Sequence, residues 1–516
     1  MSQQMVIIGA GLAGLSAACT AARQGWQVWL CSSLPSERAQ SVMAEGGINA
    51  ALDTQGQEDS PARHGADTLR AACGLADPNA VLAMTAAASA LVEELADLGV
   101  PFNRTADGQI DLRYFGGQKK KRTAFSQSDT GKQLMTALID AVRRYEAEGT
   151  VHRLNHHDFL TLLHDGPVCT GASLRDTWSG ESCDLPAQAV IIASGGLHGL
   201  FSCTTGSLAD TGAVTAELFR LGLPVANGEF IQYHPTTIAS NGKRMLVSEA
   251  ARGEGGRLWV KKQGRPWYFM EEKYPELGNL MPRDVTAREI WYHCQAGETV
   301  WLDLTGLEED IFFRKLSGLV ADCLLYGGVD IRCQPIAVAP GIHYFMGGLY
   351  VDEWHRTPWK HLYAAGECAC QYHGANRLGG NSLLGAIYGG RKAACTAIEE
   401  GKERPLPRTG QPELPAALPP AGLACLRQHL DRALGVVRSG AVLAQALDSI
   451  AALPGALPLL GQALLQSAQG RQESRGAHWR SDFPHRDDDR FLRTTLALYD
   501  GRRITLSYRP VPEKRG

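Results

Sequence analysis

The sequence predicts an α/β chain: a Rossmann-like dinucleotide-binding domain, interrupted by an inserted α+β capping domain and followed by a C-terminal helical domain. Three observations carry this. Residues 5–8 form a short apolar run that meets GAGLAGLSAACTAARQG, and residues 26–30 then resume a strand pattern, which together make a βαβ unit. Residues 189–193, ending in Ser-Gly-Gly, and 361–365, ending in Gly-Glu, supply further strands of the same kind. From about residue 401 the composition changes: GKERPLPRTGQPELPAALPPAG reads as a Pro-rich linker, and Leu/Ala-rich helical periodicity follows to about 470. The division expected is 1–220 with 341–400 for the nucleotide domain, 221–340 for the cap, and 401–516 for the helical domain with a short tail from 503.

Within the first unit, Gly9, Gly11 and Gly14 form G-x-G-x-x-G directly after a strand and at a helix start. Backbone amides and the helix N-terminus there can meet a pyrophosphate. An acidic residue normally ends the second strand and binds ribose hydroxyls, but this chain has Cys31-Ser32-Ser33, so Ser32 or Ser33 must offer a hydroxyl instead. The fingerprint alone does not separate FAD from NAD.

At 516 residues and 44% hydrophobic, the chain can bury several cores and should form two to four domains. Its 51 Lys+Arg nearly balance 54 Asp+Glu, which leaves no basic footprint for nucleic acid. The densest basic run, Lys119-Lys120-Lys121-Arg122, reads as a solvated loop face. Thirteen cysteines without a C-x-x-C pair argue against a disulfide framework and against a zinc or iron–sulfur site, so no metal is expected. Cys368 and Cys370 read as small buried thiols, and a reducing cytosol fits. No basic leader opens the sequence and no stretch approaches 18 uninterrupted apolar residues, so neither export nor a membrane span is expected.

The chemistry-bearing residues cluster in a few segments. GEFIQYHPTTIASNGKRMLVSEAARGEGG offers His234, Ser248, Glu249 and Arg252; MPRD offers Arg283 and Asp284; GIHYFMGG offers His343; HGANRLGG offers Arg377. Two imidazoles and several guanidinium groups converging on one pocket suit a small dicarboxylate, because guanidinium forks bind carboxylates bidentately and imidazoles add hydrogen bonds.

Over nearly its whole length the chain resembles the flavoprotein subunit family of succinate dehydrogenase and fumarate reductase, which also contains L-aspartate oxidase. The motifs that carry the resemblance are GAGLAGLSAA, AEGGINAAL, FGGQ, QYHPTT, SEAARGEGG, PRDVTAR, HYFMGG, HGANRLGGNSL and ESRGAHWRSDFP. It implies FAD in the nucleotide domain, lined by Gly46, Gly47, Asp210, Glu367, Ser382 and Leu383, with a side chain at either paired glycine colliding with the flavin. It implies a dicarboxylate held by His234, Ser248, His343 and Arg377, with Ser248 in place of the family's usual threonine. Arg283 would be the proton donor, resupplied through Glu249 and Arg252.

Gln40 stands where many respiratory members carry a histidine joined covalently to the flavin. The resemblance therefore implies non-covalent FAD, and because that bond raises the flavin potential in the family, it implies that fumarate reduction is favoured over succinate oxidation. Phe115-Gly116-Gly117-Gln118 and Met346 resemble the dicarboxylate oxidoreductases, where aspartate oxidases carry Arg-Glu-Gly-Gly-His and commonly cysteine. L-aspartate oxidase is the alternative, with a reductase of a related unsaturated acid and a flavin electron carrier behind it. The resemblance also implies a separate iron–sulfur subunit, one that could dock on a membrane anchor, and a cytoplasmic location, peripheral to the inner membrane where such partners hold it.

Overall fold

The computed structural model describes residues 3–240, 242–401, 416 and 418–515. Most of the Pro-rich stretch expected to be a linker therefore lies outside the described residues.

The nucleotide domain is built on five parallel strands in the order Leu362–Ala364, Ala189–Ile192, Gln4–Ile8, Gln27–Ser32 and Val151–Asn155. Both faces of this sheet are covered, which is why its strands read as continuous apolar runs rather than alternating ones. Met5 and Ile7 point into a core shared with the helices Leu12–Arg23 and Asn381–Gly401. Val6 and Ile8 point the other way, against the antiparallel strands His157–Asp165 and Val168–Asp176. The helix Pro78–Asp97 has the length and hydropathy of a membrane span, but Val81, Met84, Leu91, Val92 and Leu95 are buried against the rest of the fold, the pattern of a core helix.

The cap is a six-stranded antiparallel sheet in the order Lys243–Leu246, Ile231–Ser240, Ile336–Phe345, Val300–Asp303, Arg257–Lys262 and Arg265–Trp267. It has its own core around Phe269, Ile290, Val300 and Leu302. Its two long central strands deliver His234 and His343 side by side, and the residue 340/341 division drawn from composition falls inside the second of them.

The C-terminal region contains the helices Pro420–Ala433, Gly440–Ile450 and Ala456–Gly470 and then a β-hairpin, Arg493–Tyr499 with Ile504–Pro510. The sequence reading took the end of this segment as a tail. The alternation in TTLALY and ITLSY about Asp500-Gly501 is the hairpin signal it passed over. The motif ESRGAHWRSDFP anchors this region: Arg471 reaches Glu229 at 2.6 Å and Glu473 at 2.9 Å, and Arg475 reaches Glu473 at 2.7 Å, all fully buried. Breaking one partner of such a pair would strand a buried charge, at a cost of about 3–5 kcal/mol.

One charge assignment is corrected here. Arg122 does not belong to a solvated face; it is buried and ion-paired to Asp59 at 3.0 Å and Asp67 at 2.7 Å, so only the lysine side of the run is accessible.

Candidate active site

One cavity of about 810 Å³ connects the glycine fingerprint to the cap. At its nucleotide end, Gly9 and Gly11 lie where the strand Gln4–Ile8 turns into the helix Leu12–Arg23. Gly9 has φ +111°, and a Cβ there would sit 2.1 Å from the carbonyl oxygen of Ala193. Gly14 does not line the cavity; a Cβ on it would meet the Gly9 carbonyl oxygen at 1.8 Å. It is the residue that lets helix and strand pack closely, while the first two admit a ligand to the backbone. Ser32 and Ser33 both line the cavity, but the Ser32 hydroxyl already donates to the Leu34 carbonyl at 2.7 Å.

The paired glycines have a nearer reason than a flavin. A Cβ on Gly46 would lie 2.7 Å from the Phe115 ring, and one on Gly47, which has φ +139°, 2.5 Å from the Ala124 carbonyl oxygen. Protein atoms already exclude a side chain at both positions. Gln40 lines the same cavity, and its Oε1 accepts from the Ser207 amide at 2.6 Å, tying the turn Gln40–Met43 to the loop after the strand Ala189–Ile192.

At the cap end, Arg283, the first residue of the helix Arg283–Gln295, donates from Nε (2.9 Å) and Nη2 (2.6 Å) to Glu249 Oε2. Glu249 Oε1 accepts from Arg252 Nη2 at 3.1 Å, and Arg252 Nη1 donates to the Asn279 carbonyl at 2.7 Å. Burial opposes ionisation of Glu249, but the Arg283 and Arg252 guanidinium groups outweigh it and hold its carboxyl well below the usual range. Gly116 and Gly379 wall this carboxylate in, since a Cβ on either would fall within 2.4 or 2.7 Å of its oxygens. Arg252 is buried behind Glu249 and does not line the cavity.

His234 and His343 face each other edge to face with ring centroids 5.1 Å apart. Burial, reinforced by the Arg283 charge, pushes both far down, so both are neutral near pH 7. His234 Nδ1 lies 3.3 Å from the Thr236 amide and 3.0 Å from its carbonyl oxygen, and His343 Nδ1 is 3.0 Å from Thr205 Oγ1. A carboxylate at Nε2 selects the tautomer protonated there, with Nδ1 accepting from the Thr236 amide or the Thr205 hydroxyl. Among the described residues, His234 Nε2 has no hydrogen-bond partner.

Arg377 stacks on Tyr344, with Cζ 4.2 Å from the ring centroid, and its Nε and Nη2 are buried without partners among the described residues. Burial and then the Arg283 charge pull its pKa down to about 9. Ser248 completes this end of the cavity. Arg252, Arg283 and Arg377 set three positive charges against the single Glu249 carboxylate, so this end of the cavity carries two net positive charges.

Between the two ends, Asp210 and Glu367 flank the buried His198. His198 Nε2 is 3.5 Å from Glu367 Oε1, and Glu367 Oε1 accepts from the Phe345 amide at 2.9 Å. Burial disfavours the charged form of His198, but Glu367 and Asp210 outweigh it and raise its pKa. Burial raises Asp210 to about 7, and its Oδ2 has no partner. Ser382 and Leu383 come from the first turn of Asn381–Gly401, whose N-terminus faces the cavity.

Residues 4–383 match the family model described as FAD binding domain, and residues 455–515 match Fumarate reductase flavoprotein C-term. The succinate dehydrogenase flavoprotein subunit of Bacillus subtilis is 38% identical, over 97% of this chain and 94% of that protein. The chain belongs to the succinate dehydrogenase and fumarate reductase flavoprotein family. An L-aspartate oxidase from Caulobacter vibrioides is 37% identical, over 98% of this chain and 97% of that protein, so that branch lies close. Among solved structures, E. coli quinol fumarate reductase FrdA superimposes with a TM-score of 0.86 at 27% identity, covering 99% of this chain and 97% of that one.

The family's cofactor is FAD, and the residues present fit it. The glycine cradle at the nucleotide end, the unpartnered Asp210 Oδ2 and the first turn of Asn381–Gly401 bound one continuous cavity. Apart from Gly14, Arg252 and Asp284, every site residue singled out from sequence lines it.

Gln232, Asn376, Thr205 and His198 were not singled out, although each makes hydrogen bonds to the site or stands against it. Gln232 and Asn376 stand inside quoted motifs, QYHPTT and HGANRLGGNSL, beside the histidine and arginine that drew attention. For Thr205 and His198 the sequence carries no local signal, since the site residues they meet, His343 and Glu367, are more than 130 residues away.

Proposed function

We infer that this chain is the flavoprotein subunit of a fumarate reductase or succinate dehydrogenase, interconverting fumarate and succinate, with reduction favoured. The observation that carries the reading is the cap end of the cavity, where an arginine cluster with two net positive charges and two neutral imidazoles converge on a space continuous with the nucleotide cradle. Two positive charges match a dicarboxylate dianion.

FAD, when bound, supplies hydride transfer at N5. The protein supplies the rest. Arg377 with His234, His343 and Ser248 would hold the substrate carboxylates, and neutral imidazoles can donate there without adding charge. Arg283 would pass a proton to the substrate carbon. A guanidinium is a poor acid in water, but a carbanion developing in a closed site is a strong base, and Glu249 at 2.6 Å can return the proton with Arg252 behind it.

Phe115 favours this reading over L-aspartate oxidase. It lines the cavity and is buried, so the position where an acidic residue would meet a substrate ammonium is apolar. The Gln40 amide has no nucleophilic ring nitrogen, and its oxygen is engaged by Ser207, which supports non-covalent FAD and, with it, the reductive preference. Electrons would arrive through a separate iron–sulfur subunit.

The test is a steady-state screen of fumarate, succinate and aspartate with artificial dyes. Fumarate reduction should be the fastest reaction; aspartate as the sole efficient substrate would overturn the reading. Acid precipitation should release all the flavin from the polypeptide. Mild-detergent purification should bring down a second chain with iron–sulfur absorbance.

A further inference from the structure

We propose that Gln232 and Asn376 form a latch between the cap and the nucleotide domain that fixes Arg283 in register with Arg377, making both positioning residues. Gln232 belongs to the cap strand Ile231–Ser240 and is fully buried. Its Oε1 accepts from Arg283 Nη1 at 3.1 Å, and its Nε2 donates to Asn376 Oδ1 at 2.9 Å and to the Arg377 carbonyl at 2.9 Å. Asn376 Nδ2 in turn donates to Asp284 Oδ1 at 3.0 Å. Asp284 follows Arg283 in the first turn of the helix Arg283–Gln295, so the bonds close a ring through the backbone.

The chemistry allows the ring only one arrangement. A guanidinium can only donate, so the Gln232 oxygen must face Arg283; a backbone carbonyl can only accept, so the Gln232 nitrogen must face Arg377. That nitrogen in turn needs the Asn376 oxygen, which turns the Asn376 nitrogen toward the Asp284 carboxylate. Neither amide can flip without opposing two like groups in a buried site.

The consequence concerns Arg283. Glu249 holds one edge of its guanidinium, Nε and Nη2, and Gln232 holds Nη1, which leaves one N–H on each terminal nitrogen uncommitted. Glu249 alone would let the group pivot about that edge. Because Gln232 also grips the backbone of Arg377, the group that would give the proton and the group that would hold the substrate are set by the same side chain. Loss of the latch should slow the chemical step far more than it weakens substrate binding, since small misplacements of reacting groups are expensive.

The inference rests on the reading under Proposed function for its kinetic arm, and has a second arm that does not. In the FAD-loaded protein, Gln232→Leu should lower kcat for fumarate reduction about 10²-fold with KM within about threefold of wild type and flavin content unchanged. Asn376→Asp places a carboxylate against Asp284. At pH 8 the two should repel and kcat should drop by a similar factor; toward pH 5 the pair can share one proton and remake the bond, so kcat relative to wild type should recover about tenfold. Arg288, Cys73 and Tyr274, the other titratable groups coupled to Asp284, are the same in both proteins.

Hydrogen exchange supplies the independent arm: amides at the start of the helix Arg283–Gln295 should exchange faster in both variants at pH 8. A pH-independent ratio for Asn376→Asp, or wild-type kcat in Gln232→Leu, overturns the latch. If the wild type reduces no dicarboxylate, the functional reading fails, and exchange alone decides: unchanged rates overturn the latch, faster rates uphold it.

Discussion

The two ends of the cavity are made of different material. The nucleotide end is backbone: glycines that bring carbonyls and amides close, a helix N-terminus, and serines in place of an acid. The cap end is side chain: three arginines, a glutamate, two histidines and a serine, drawn from strands and helices far apart in sequence. Backbone sites are built by leaving atoms out, so they are intolerant of additions; side-chain sites are built by charge placement, so they are intolerant of deletions. The two ends should therefore fail differently, the first by losing cofactor and fold together, the second by losing turnover alone.

The sharpest way to break that comparison is at Gly14. A Cβ 1.8 Å from a backbone carbonyl cannot be relieved by a rotamer change, so Gly14→Val should destabilise the protein by about 3 kcal/mol or more. It should also purify with almost no flavin, and flavin absorbance per chain checks this. At the opposite end, Arg377→Ala should keep its flavin but lose roughly 10²–10³-fold in kcat/KM for fumarate, the scale of removing one partner from a buried charge pair. Loss of flavin in Arg377→Ala would blur the division.

Asp210 probes the region between. Its pKa is raised to about 7, against about 3.9 for an unfolded chain, so the folded protein holds that proton more tightly. Its contribution is then fully present below about pH 4 and is lost as pH rises toward 7. Asp210→Asn should leave FAD-free protein little changed at pH 4 and stabilise it by roughly 2–4 kcal/mol at pH 8, the attraction to His198 being already contained in the pKa of about 7. Thermal unfolding at the two pH values measures it. The smallest effect should come from Gln40→Ala: losing the bond to the Ser207 amide should cost about 1 kcal/mol, seen as roughly fivefold weaker FAD binding, with acid still releasing the flavin from both proteins.

The same contrast explains what could be read from sequence. Gly9, Gly11 and Gly14 announce themselves because their spacing is local and the strand and helix that frame them are adjacent in the chain. His234, Arg283, His343 and Arg377 are legible through the motifs that contain them, since nothing local says that residues more than 140 apart share a cavity. At Gly46 and Gly47 the flavin is the obstruction expected from sequence, whereas the fold itself sets Phe115 and Ala124 against a side chain there, contacts that only the tertiary structure creates. Arg122 was misread because its partners, Asp59 and Asp67, lie about 60 residues upstream on a different element. The C-terminal hairpin was missed beside a strong helical pattern, although its turn signal was present.

The central claim is that the charged end of the cavity does chemistry that the nucleotide end does not need. Arg283→Ala tests it most directly, by measuring fumarate reduction and bound flavin in the same preparation. Turnover should fall by about 10³-fold or more while flavin per chain stays at the wild-type level. Turnover within a few fold of wild type, with flavin bound, would contradict the role given to Arg283.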